Sequence, residues 1–528
     1  MKNLFTNAAI YSPDKLRGDC IAVDNGMIAE IGPKNRLIHL KRHGFKVIDL
    51  NGKTILPGII DSHLHLMGTA YHLVNINLDN IDSLEKALAT IGKAAEKARP
   101  RQWLLGRGWN KNIWHDGTPD STALNKICPN NPIRLFSKDG HTLWVNSMAL
   151  KVCGIDNTTP DPDGGTIQRD SDGRPTGILF ENACDLIVDK IPGATTGFKL
   201  KVLKKAVKML NSHGITGVCD CDWDDNRLSL FSMAREKDIL NLRICMMLSP
   251  DDIDSAVQLG LKSGFGDSFI TLGGLKLYMD GALGSQTGWM HEPYENQPNN
   301  FGIPAMSDDE LEMNFEKTHL NGISLAVHAI GDKANTELLE FFGKKLAVSR
   351  KLKLNHRIEH AQILRTEDLE KFKRYNVAAG VQPIHLIGDR DMAEKQWGIR
   401  SRYAYPFGSL LKKGAVLGFG SDCPIEDPNP FMGIYAAVAR KHPKDDRPAW
   451  YGQECITVKE AVRAYTEGSA RICGWQGKSG VIAPGAKADF TVISDNIFKI
   501  KIDQIPQVKA LATIVDGRIV YKDKAFKV

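Results

Sequence analysis

Eight apolar runs, most of them separated by helix-like segments, constrain the fold of this 528-residue chain more than any other feature. The runs are LPGIIDSHLHL, GITGVCDCD, LRICMML, ITLGGLKLYMDG, ISLAVHAIGD, LNHRIEHAQI, NVAAGVQPIHL and AVLGFGSDCPI. Intervening segments such as DELEMNFEKTHLNG and TEDLEKFKRYN carry apolar residues at helical spacing. This alternation predicts a parallel sheet with crossover helices, and eight strands favour a closed (β/α)8 TIM-type barrel.

The two ends of the chain have a different pattern, with short strands and hairpin signals. CIAVDNGMIAEIG places Asn25-Gly26 between two apolar runs, and ATIVDGRIVYKD places Asp516-Gly517 in the same way. Neither end is long enough to bury an apolar sheet face alone. Residues 1–57 and 480–528 are therefore predicted to form one small β-sandwich domain, which leaves residues 58–479 for the barrel.

One part of the central region does not fit the alternation of strands and helices. Residues 99–197 are rich in Trp, Gly, Pro and Asp, as in WLLGRGWNKNIWHDGTPD and TPDPDGGTIQRDSDGRP. Such clusters are typical of loops and turns. We expect a loop-rich insertion at about 99–197, after the first barrel strand.

Composition and charge exclude several classes of protein. The 68 basic residues are interspersed with 62 acidic residues and form no long block, which argues against a nucleic-acid partner. The N-terminus lacks the apolar stretch of a signal peptide, and no run of 18 apolar residues occurs, so a membrane partner is not expected. We expect a cytoplasmic protein.

The ten cysteines are scattered and show no framework of paired spacings. This usage is typical of a reduced compartment rather than of a disulfide-stapled domain. Cys219 and Cys221 form a C-x-C on one strand face, which is compatible with a metal site. Two small core residues are the commoner explanation of such an isolated pair.

Polar side chains stand at or near the ends of five of the eight runs. In a strand, residues i and i+2 point to the same side, so the two histidines of DSHLHL face one point in space. The carboxyl ends of barrel strands meet at one mouth, where catalytic groups are found. The side chains expected to converge there are His63, His65, Lys276, His328, His360 and Asp422.

These side chains form a set suited to metal binding. Neutral imidazoles and a carboxylate are ligands for a zinc-like ion. Taken singly, each histidine is compatible with a core or surface position, and Asp422 with a turn cap before Cys423-Pro424. Their joint occurrence at successive strands favours the metal site.

Lys276 is the unusual member of this set because an ammonium group repels a metal ion. Burial disfavours the charged form of lysine, and the neutral amine is able to add carbon dioxide. The resulting carbamate is an anionic oxygen ligand that can bridge two metal ions. Sequence alone does not establish that this modification occurs.

The motifs resemble those of the amidohydrolase superfamily. DSHLHL, the strand lysine, the two later strand histidines, GSD and the closing GVIAPGAKADFTVI carry this resemblance. The longer stretches KLYMDGALGSQTG, SKDGHTLWVNSMAL, VHAIGDKAN, RIEHAQI and GSDCPIEDPNPFMGIYAAVAR are similar to the YtcJ-like branch, which includes N-substituted formamide deformylase. The resemblance covers nearly the whole chain and implies the same barrel and β-sandwich.

The resemblance also implies how the ligands are shared. His63, His65 and Asp422 would hold one divalent ion, and His328 and His360 a second, with Lys276 bridging as a carbamate if both are present. Zinc is the expected metal, and whether one ion or two are bound stays open.

The implied activity is that of a metal-dependent hydrolase acting on carbon–nitrogen bonds other than peptide bonds. A metal-bound hydroxide would attack a carbonyl or amidine-like carbon of a small amide-type molecule, with Asp422 as the proton shuttle. A metal-dependent lyase or isomerase on the same scaffold is the alternative, and the intact ligand set speaks against a silent binding protein. Substrate identity stays open, and a homodimer is the arrangement the family suggests.

Two residues of the insertion are candidates for contact with the substrate. His141 in KDGHTLWVN is expected to hydrogen-bond the substrate carbonyl and stabilise an oxyanion, with a plain turn residue as the alternative. Trp109 in GRGWN is expected either to wall the pocket or to pack in the core of the insertion.

Residues next to the proposed ligands have structural alternatives as well. Arg357 and Glu359 flank His360, and strand parity favours a salt bridge over a role in orienting the ligands. Asp280 and Ser285, in MDGALGS, are expected to shape the loop after the lysine strand.

Overall fold

The computed structural model describes residues 1–11, 18–79, 81–110, 114, 119–138, 140, 142–224 and 226–527. These residues divide into two compact units. One comprises Met1–Thr69 and Leu203–Val528, and the other comprises Ala70–Val202.

The strands are numbered along the chain. The N-terminal segment holds β1 (Lys2–Thr6), β2 (Ala9–Ile10), β3 (Cys20–Asp24), β4 (Met27–Gly32), β5 (Lys46–Asp49) and β6 (Thr54–Pro57). Next come β7 (Ile59–Leu64), β8 (Ile76–Asn77), β9 (Leu104–Trp109), β10 (Ile133–Ser137), β11 (Thr142–Val145), β12 (Gly165–Arg169) and β13 (Pro175–Glu181). The rest are β14 (Ile215–Asp220), β15 (Arg243–Leu248), β16 (Ile270–Tyr278), β17 (Ser324–Ala329), β18 (Arg357–His360), β19 (Ala378–Val381), β20 (Leu417–Phe419), β21 (Phe490–Ile493), β22 (Ala510–Val515) and β23 (Arg518–Lys522).

The α-helices lie mainly between these strands. The first nine are α1 (Lys34–Leu37), α2 (Leu66–His72), α3 (Leu84–Ala95), α4 (Ser121–Ile127), α5 (Ser147–Cys153), α6 (Asp185–Val188), α7 (Thr196–Ser212), α8 (Arg227–Glu236) and α9 (Ile253–Gln258). The next nine are α10 (Asp308–His319), α11 (Asp332–Lys344), α12 (Leu346–Lys351), α13 (Leu369–Tyr375), α14 (Pro383–Trp397), α15 (Phe407–Lys412), α16 (Pro430–Ala439), α17 (Val458–Arg463) and α18 (Ser469–Ile472). None of the described helices combines the length and apolarity needed to cross a membrane.

An eight-stranded parallel sheet forms the centre of the first unit, in the order β20-β19-β18-β17-β16-β15-β14-β7. These strands are the eight predicted from the apolar runs. Hydrogen bonds from Asp422 N to His63 O (2.7 Å) and from His65 N to Cys423 O (2.8 Å) join the chain beyond β20 to the first strand. The predicted (β/α)8 barrel is confirmed, and its carboxyl ends meet at one mouth.

Strands from both chain ends build two further sheets of the first unit. Their orders are β4-β3-β1-β5 and β2-β6-β21-β22-β23, and β6 pairs antiparallel with β21. Phe5, Ile21, Ile55, Phe490 and Ile514 pack in one shared core. The predicted small β domain built from both termini is therefore confirmed.

The second unit departs from the predicted loop-rich insertion at about 99–197. It begins at Ala70 and contains a six-stranded sheet in the order β12-β13-β11-β10-β9-β8. Its strands are short and separated by turn-forming Gly, Pro and Asp residues, so loop signals dominate the local sequence. The stretch with β8 and α3 has an amphipathic pattern that does not reveal which unit it joins.

Candidate active site at the barrel mouth

The predicted ligands converge at the carboxyl ends of the barrel strands. The ligand atoms of His63, His360 and Asp422 lie within 4.8 Å of one another, and all three side chains are buried. The imidazole of His360 lies 4.9 Å from that of His63 and 4.5 Å from that of His328, measured between ring centroids. Strands β7, β17 and β18 and the turn after β20 thus bring these side chains together, as the sequence predicted.

Carboxylates fix the orientation of the two histidines near the end of β7. His63 Nδ1 lies 2.5 Å from Glu359 Oε2, and its Nε2 lies 3.6 Å from Asp422 Oδ1. His65 Nδ1 lies 3.1 Å from Asp222 Oδ1, and its Nε2 lies 3.3 Å from Asp422 Oδ1. A carboxylate that accepts the Nδ1 proton directs Nε2 toward the barrel mouth, and the two Nε2 atoms face the same oxygen of Asp422. Burial opposes the charged form of His65, but its hydrogen bonds with Asp222 and Asp422 raise its pKa to about 10.

The other two histidines are held neutral. Burial, reinforced by the charge of Lys276, lowers the pKa of His328 to about 3. Burial together with the neighbouring histidines likewise lowers the pKa of His360. His328 Nε2 lies 2.9 Å from the carbonyl oxygen of Gly281, so Nε2 donates there and Nδ1 is left as the acceptor. Neutral imidazole is the form that binds a metal ion.

Asp422 is surrounded by histidines on both carboxylate oxygens. His65 Nε2 approaches Oδ1 at 3.3 Å, and His385 Nε2 approaches Oδ2 at 3.3 Å. Burial alone would favour the protonated acid, but the hydrogen bonds from His385 and His65 hold the pKa of Asp422 well below its ordinary value. Asp422 is therefore an ionised carboxylate in the barrel mouth.

His385 was missed by the sequence analysis. It lies in the first turns of α14, three residues after Gln382 at the end of β19. The run NVAAGVQPIHL carries a signal for it, because this run also has a histidine near its carboxyl end.

Lys276 lies in β16 with its side chain completely buried. Burial lowers the pKa of its amine. Nζ lies 3.9 Å from the centre of the Tyr278 ring and forms no ion pair among the described residues. Burial in this environment disfavours the charged form of the amine.

Aromatic rings lie beside Lys276. The Tyr278 ring is 5.2 Å from that of His328 and 5.0 Å from the half-exposed Trp223, between ring centroids. Trp223 follows Asp222 directly, so the segment that orients His65 also places this indole.

Glu359 has a larger role than strand parity predicted. The salt bridge exists, with Arg357 Nε 2.6 Å from Glu359 Oε1, but the other Glu359 oxygen contacts His63. The parity argument fails because His360 has a φ of +71°, which ends the regular strand alternation used to place Glu359.

Asp280 shapes the loop after β16, as predicted. Its carboxylate accepts hydrogen bonds from the backbone N–H groups of Trp289 (2.8 Å), Ile330 (2.9 Å) and Gly331 (2.7 Å). Ser285 lies in the same loop, with its hydroxyl 2.6 Å from that of Thr287.

His141 and Trp109 are the two insertion residues that were expected to contact the substrate. His141 lies outside the described residues. Trp109 is 2% exposed and packs against Trp114 and Trp144 at ring distances of 6.2–6.3 Å, and its Nε1 donates to Leu135 O. Trp109 therefore occupies the core of the insertion sheet, which is the second of its two expected positions, and the structure does not support its candidacy as a substrate contact. A large aromatic side chain finds more apolar contact inside a sheet core than at its rim.

The donor set fits a divalent cation. It consists of buried or half-buried imidazoles, of which His328 and His360 have lowered pKa values, an ionised carboxylate, and a buried amine whose pKa is lowered by burial. Nitrogen and oxygen donors of this kind suit zinc and similar ions, and carboxylates behind the histidines are typical of such sites.

Comparison with known proteins agrees with this site. The sequence model described as the amidohydrolase family matches residues 46–521. Putative amidohydrolase YtcJ of Bacillus subtilis (strain 168) is 33% identical, over 99% of this chain and 100% of the relative. N-substituted formamide deformylase of Arthrobacter pascens is 26% identical, over 98% of each chain. The crystal structure of an uncharacterized metal-dependent hydrolase from Pyrococcus horikoshii OT3 matches with a TM-score of 0.81 and 26% identity, over 95% of this chain and 99% of that one.

Proposed function

Because this chain belongs to the amidohydrolase family, a family of metal-dependent hydrolases, we propose that it hydrolyses a carbon–nitrogen bond other than a peptide bond in a small molecule. The observation that carries the proposal is the convergence of His63, His360 and Asp422 within 4.8 Å at the barrel mouth. The names of the relatives YtcJ and N-substituted formamide deformylase support the type of bond.

The ligands are divided between two positions. His63, His65 and Asp422 would hold one divalent ion, and His328 and His360 a second, with zinc as the expected metal. An ion in either position supplies Lewis acidity that polarises a carbonyl and makes water more acidic.

Lys276 would complete the site as a carbamate. The neutral Nζ adds the carbon of dissolved carbon dioxide and releases one proton, which leaves an anionic –NH–COO⁻ group. Complete burial and a lowered pKa support this reaction, because the free amine is the nucleophile. The carbamate oxygens would be able to bind a metal ion, whereas the ammonium form of Lys276 would repel it.

Asp422 is the proposed proton shuttle. It accepts the proton of the attacking water and passes it to the nitrogen of the leaving amine. Its ionised state leaves it able to accept a proton, and its position between His65 and His385 places it at the barrel mouth where the water would be bound.

The substrate surface near the ligands supports an amide with an apolar substituent. The Tyr278 ring lies beside Lys276 and His328, and the half-exposed Trp223 packs edge-on against Tyr278. N-substituted formamides are the first class to test, followed by cyclic amides, acylated amino acids and carbamates.

The test is a product analysis of the zinc-loaded protein in ¹⁸O-labelled water. Release of an amine together with an acid that carries one ¹⁸O atom is expected for some member of the panel. The same reaction should disappear after chelation and return with metal. A product without water-derived oxygen would assign the site to a lyase or isomerase instead.

A further inference from the structure

A cluster of sulfur atoms lies inside the barrel, apart from the histidine site. Cys219 in β14 and Cys245 in β15 are direct partners in the parallel ladder, and Cys473 follows α18. The three Sγ atoms lie within 4.8 Å of one another, and all three side chains are buried. The sequence showed only the C-x-C of Cys219 and Cys221, because the other thiols are distant along the chain.

This interior differs from that of an ordinary barrel, where branched aliphatic residues dominate. Cys221 and Met247 extend the sulfur-lined region. Gly273 keeps the space beside it open, since a Cβ there would lie 2.7 Å from Cys245 Sγ and 3.0 Å from Met247 Sδ.

A buried positive charge contacts the cluster. Arg357 Nη2 lies 3.0 Å from Cys219 Sγ, and the guanidinium is 1% exposed. Its Nη1 has no hydrogen-bond partner among the described residues. A guanidinium next to a thiol favours the thiolate, which is the form that binds metals.

A cavity lies at the end of the barrel opposite the histidine site, next to residues that neighbour two of these thiols. It has a volume of about 240 Å³ and is lined in part by Asn355, Val377 and Gly414, which precede β18, β19 and β20. Arg357, the neighbour of Cys219, and Ile472, which precedes Cys473, also line it.

We propose that Cys219, Cys245 and Cys473 bind one thiophilic d¹⁰ cation, Zn²⁺ or Cu⁺, as a second metal site of structural character. Zinc–sulfur bonds of about 2.3 Å in a tetrahedral or trigonal arrangement place ligand sulfurs about 3.8–4.0 Å apart, so side-chain rotations bring sulfur atoms that lie within 4.8 Å of one another to that spacing. Soft thiolates select these ions over the harder ones. Three thiolates carry a net charge of −1 with Zn²⁺ and −2 with Cu⁺, and Arg357, which also pairs with Glu359, is the positively charged group in contact with them.

The experiment is a Co²⁺ titration of the full-length, reduced, metal-free protein. A thiolate-to-cobalt charge-transfer band in the near ultraviolet should appear and saturate at an intensity that corresponds to one thiolate-bound ion per chain, in addition to any Co²⁺ bound at the barrel mouth. The histidine and aspartate ligands at the barrel mouth cannot produce this band, so its outcome is independent of the proposed hydrolase function. Subsequent displacement by Zn²⁺, or by Cu⁺ without oxygen, identifies the preferred ion.

The cysteine variants make the assignment specific. C245S and C473S, tested separately, should each weaken the band at least tenfold, whereas C184S should keep it, because Cys184 is a buried thiol of the insertion whose Sγ contacts Leu179 O. Absence of the band in the wild-type protein would overturn the proposal, whether or not the variants fold. Retention of the full band in a folded C245S or C473S protein would also overturn it.

Discussion

At the residue scale, the site depends on which nitrogen of each imidazole is left free. Glu359 and Asp222 occupy the Nδ1 atoms of His63 and His65, while Gly281 O occupies Nε2 of His328. These contacts hold each imidazole ring in one orientation before a metal ion binds, so little side-chain entropy is lost when it binds. The acceptors behind the histidines are therefore as important for the metal site as the histidines themselves.

The variant E359Q tests this dependence. The amide holds His63 less firmly and leaves the Arg357 guanidinium without its carboxylate at 2.6 Å. We expect the affinity for zinc to fall about 10- to 100-fold, as is typical when a carboxylate behind a metal-binding histidine is lost. Competition with a chromophoric chelator measures this change. E292Q, which alters an exposed carboxylate, is the control, and unchanged zinc affinity in E359Q would show that His63 needs no such support.

The variant D422N separates metal binding from proton transfer. Four histidines remain to hold metal, but the amide cannot accept the proton of water. We expect much of the metal to stay bound, while kcat falls by at least about 100-fold. Elemental analysis and amine release on the same sample provide both quantities. Wild-type turnover in D422N would remove the shuttle role from Asp422.

At the element scale, the backbone leaves regular strand geometry at the carboxyl ends of β18 and β20, where two of the proposed ligands lie. His360 and Asp422 have φ angles of +71° and +59°, values that are uncommon for residues other than glycine. Such conformations at a site are held by the surrounding structure, here the joined ends of β7 and β20. The same departures explain why alternation along β18 failed to locate Glu359.

A buried histidine before β18 makes the stability of the helix layer depend on pH. His356 accepts a hydrogen bond from Leu325 N, stacks on Phe342, and has its pKa lowered by burial to about 3. The pKa of a histidine in an unfolded chain is about 6.5. Below that pH the unfolded chain therefore binds a proton that the folded chain does not. This group alone should lower the unfolding free energy by about 2 kcal/mol between pH 7 and pH 5.

Urea unfolding of the wild type and H356Q at both pH values tests this expectation. The wild type should have the larger unfolding free energy at pH 7, and its difference from H356Q should become smaller at pH 5. The H442Q variant, which changes an exposed histidine, should have the same unfolding free energy as the wild type at both pH values. An equal difference in unfolding free energy between the wild type and H356Q at pH 7 and at pH 5 would contradict this expectation.

An ion pair connects the barrel with the β domain within the first unit. Arg243 at the start of β15 contacts Asp489, just before β21, through Nε–Oδ2 (2.6 Å) and Nη2–Oδ1 (2.9 Å), and both side chains are 3% exposed. Removing one partner leaves a buried charge uncompensated, so D489N should cost about 3–5 kcal/mol. D238N, which breaks the exposed pair with Arg518, should cost less than about 1 kcal/mol. Equal thermal midpoints for the two variants would contradict this role for the pair.

The sequence predicted those elements whose signal is local. The barrel strands are long apolar runs, and the hairpin at Asn25-Gly26 follows from residues that tolerate positive φ, here +49° and +75°. The sequence did not predict the insertion sheet, because its strands are short and close to turn residues. His385 and the three-thiol cluster depend on side chains that meet only after the barrel closes, so their partners are not visible in any local window.

At the scale of the whole molecule, the barrel converts scattered residues into one site. The described ligands all lie in the unit formed by Met1–Thr69 and Leu203–Val528, although the chain between them includes the separate unit Ala70–Val202. His63 and Asp422 stand at the two ends of the strand order, and the hydrogen bonds between their backbones close the ring. The integrity of the barrel is therefore a condition for the metal site.

The most direct test of this account measures ion content and amine release on the same samples. Chelated wild-type protein is reconstituted stepwise with zinc, in parallel with a double variant carrying H63N and H65N. The account predicts that amine release rises in proportion to the zinc that the wild type binds in excess of the double variant, and that the folded double variant stays inactive. Full activity in ion-free wild-type protein would contradict it.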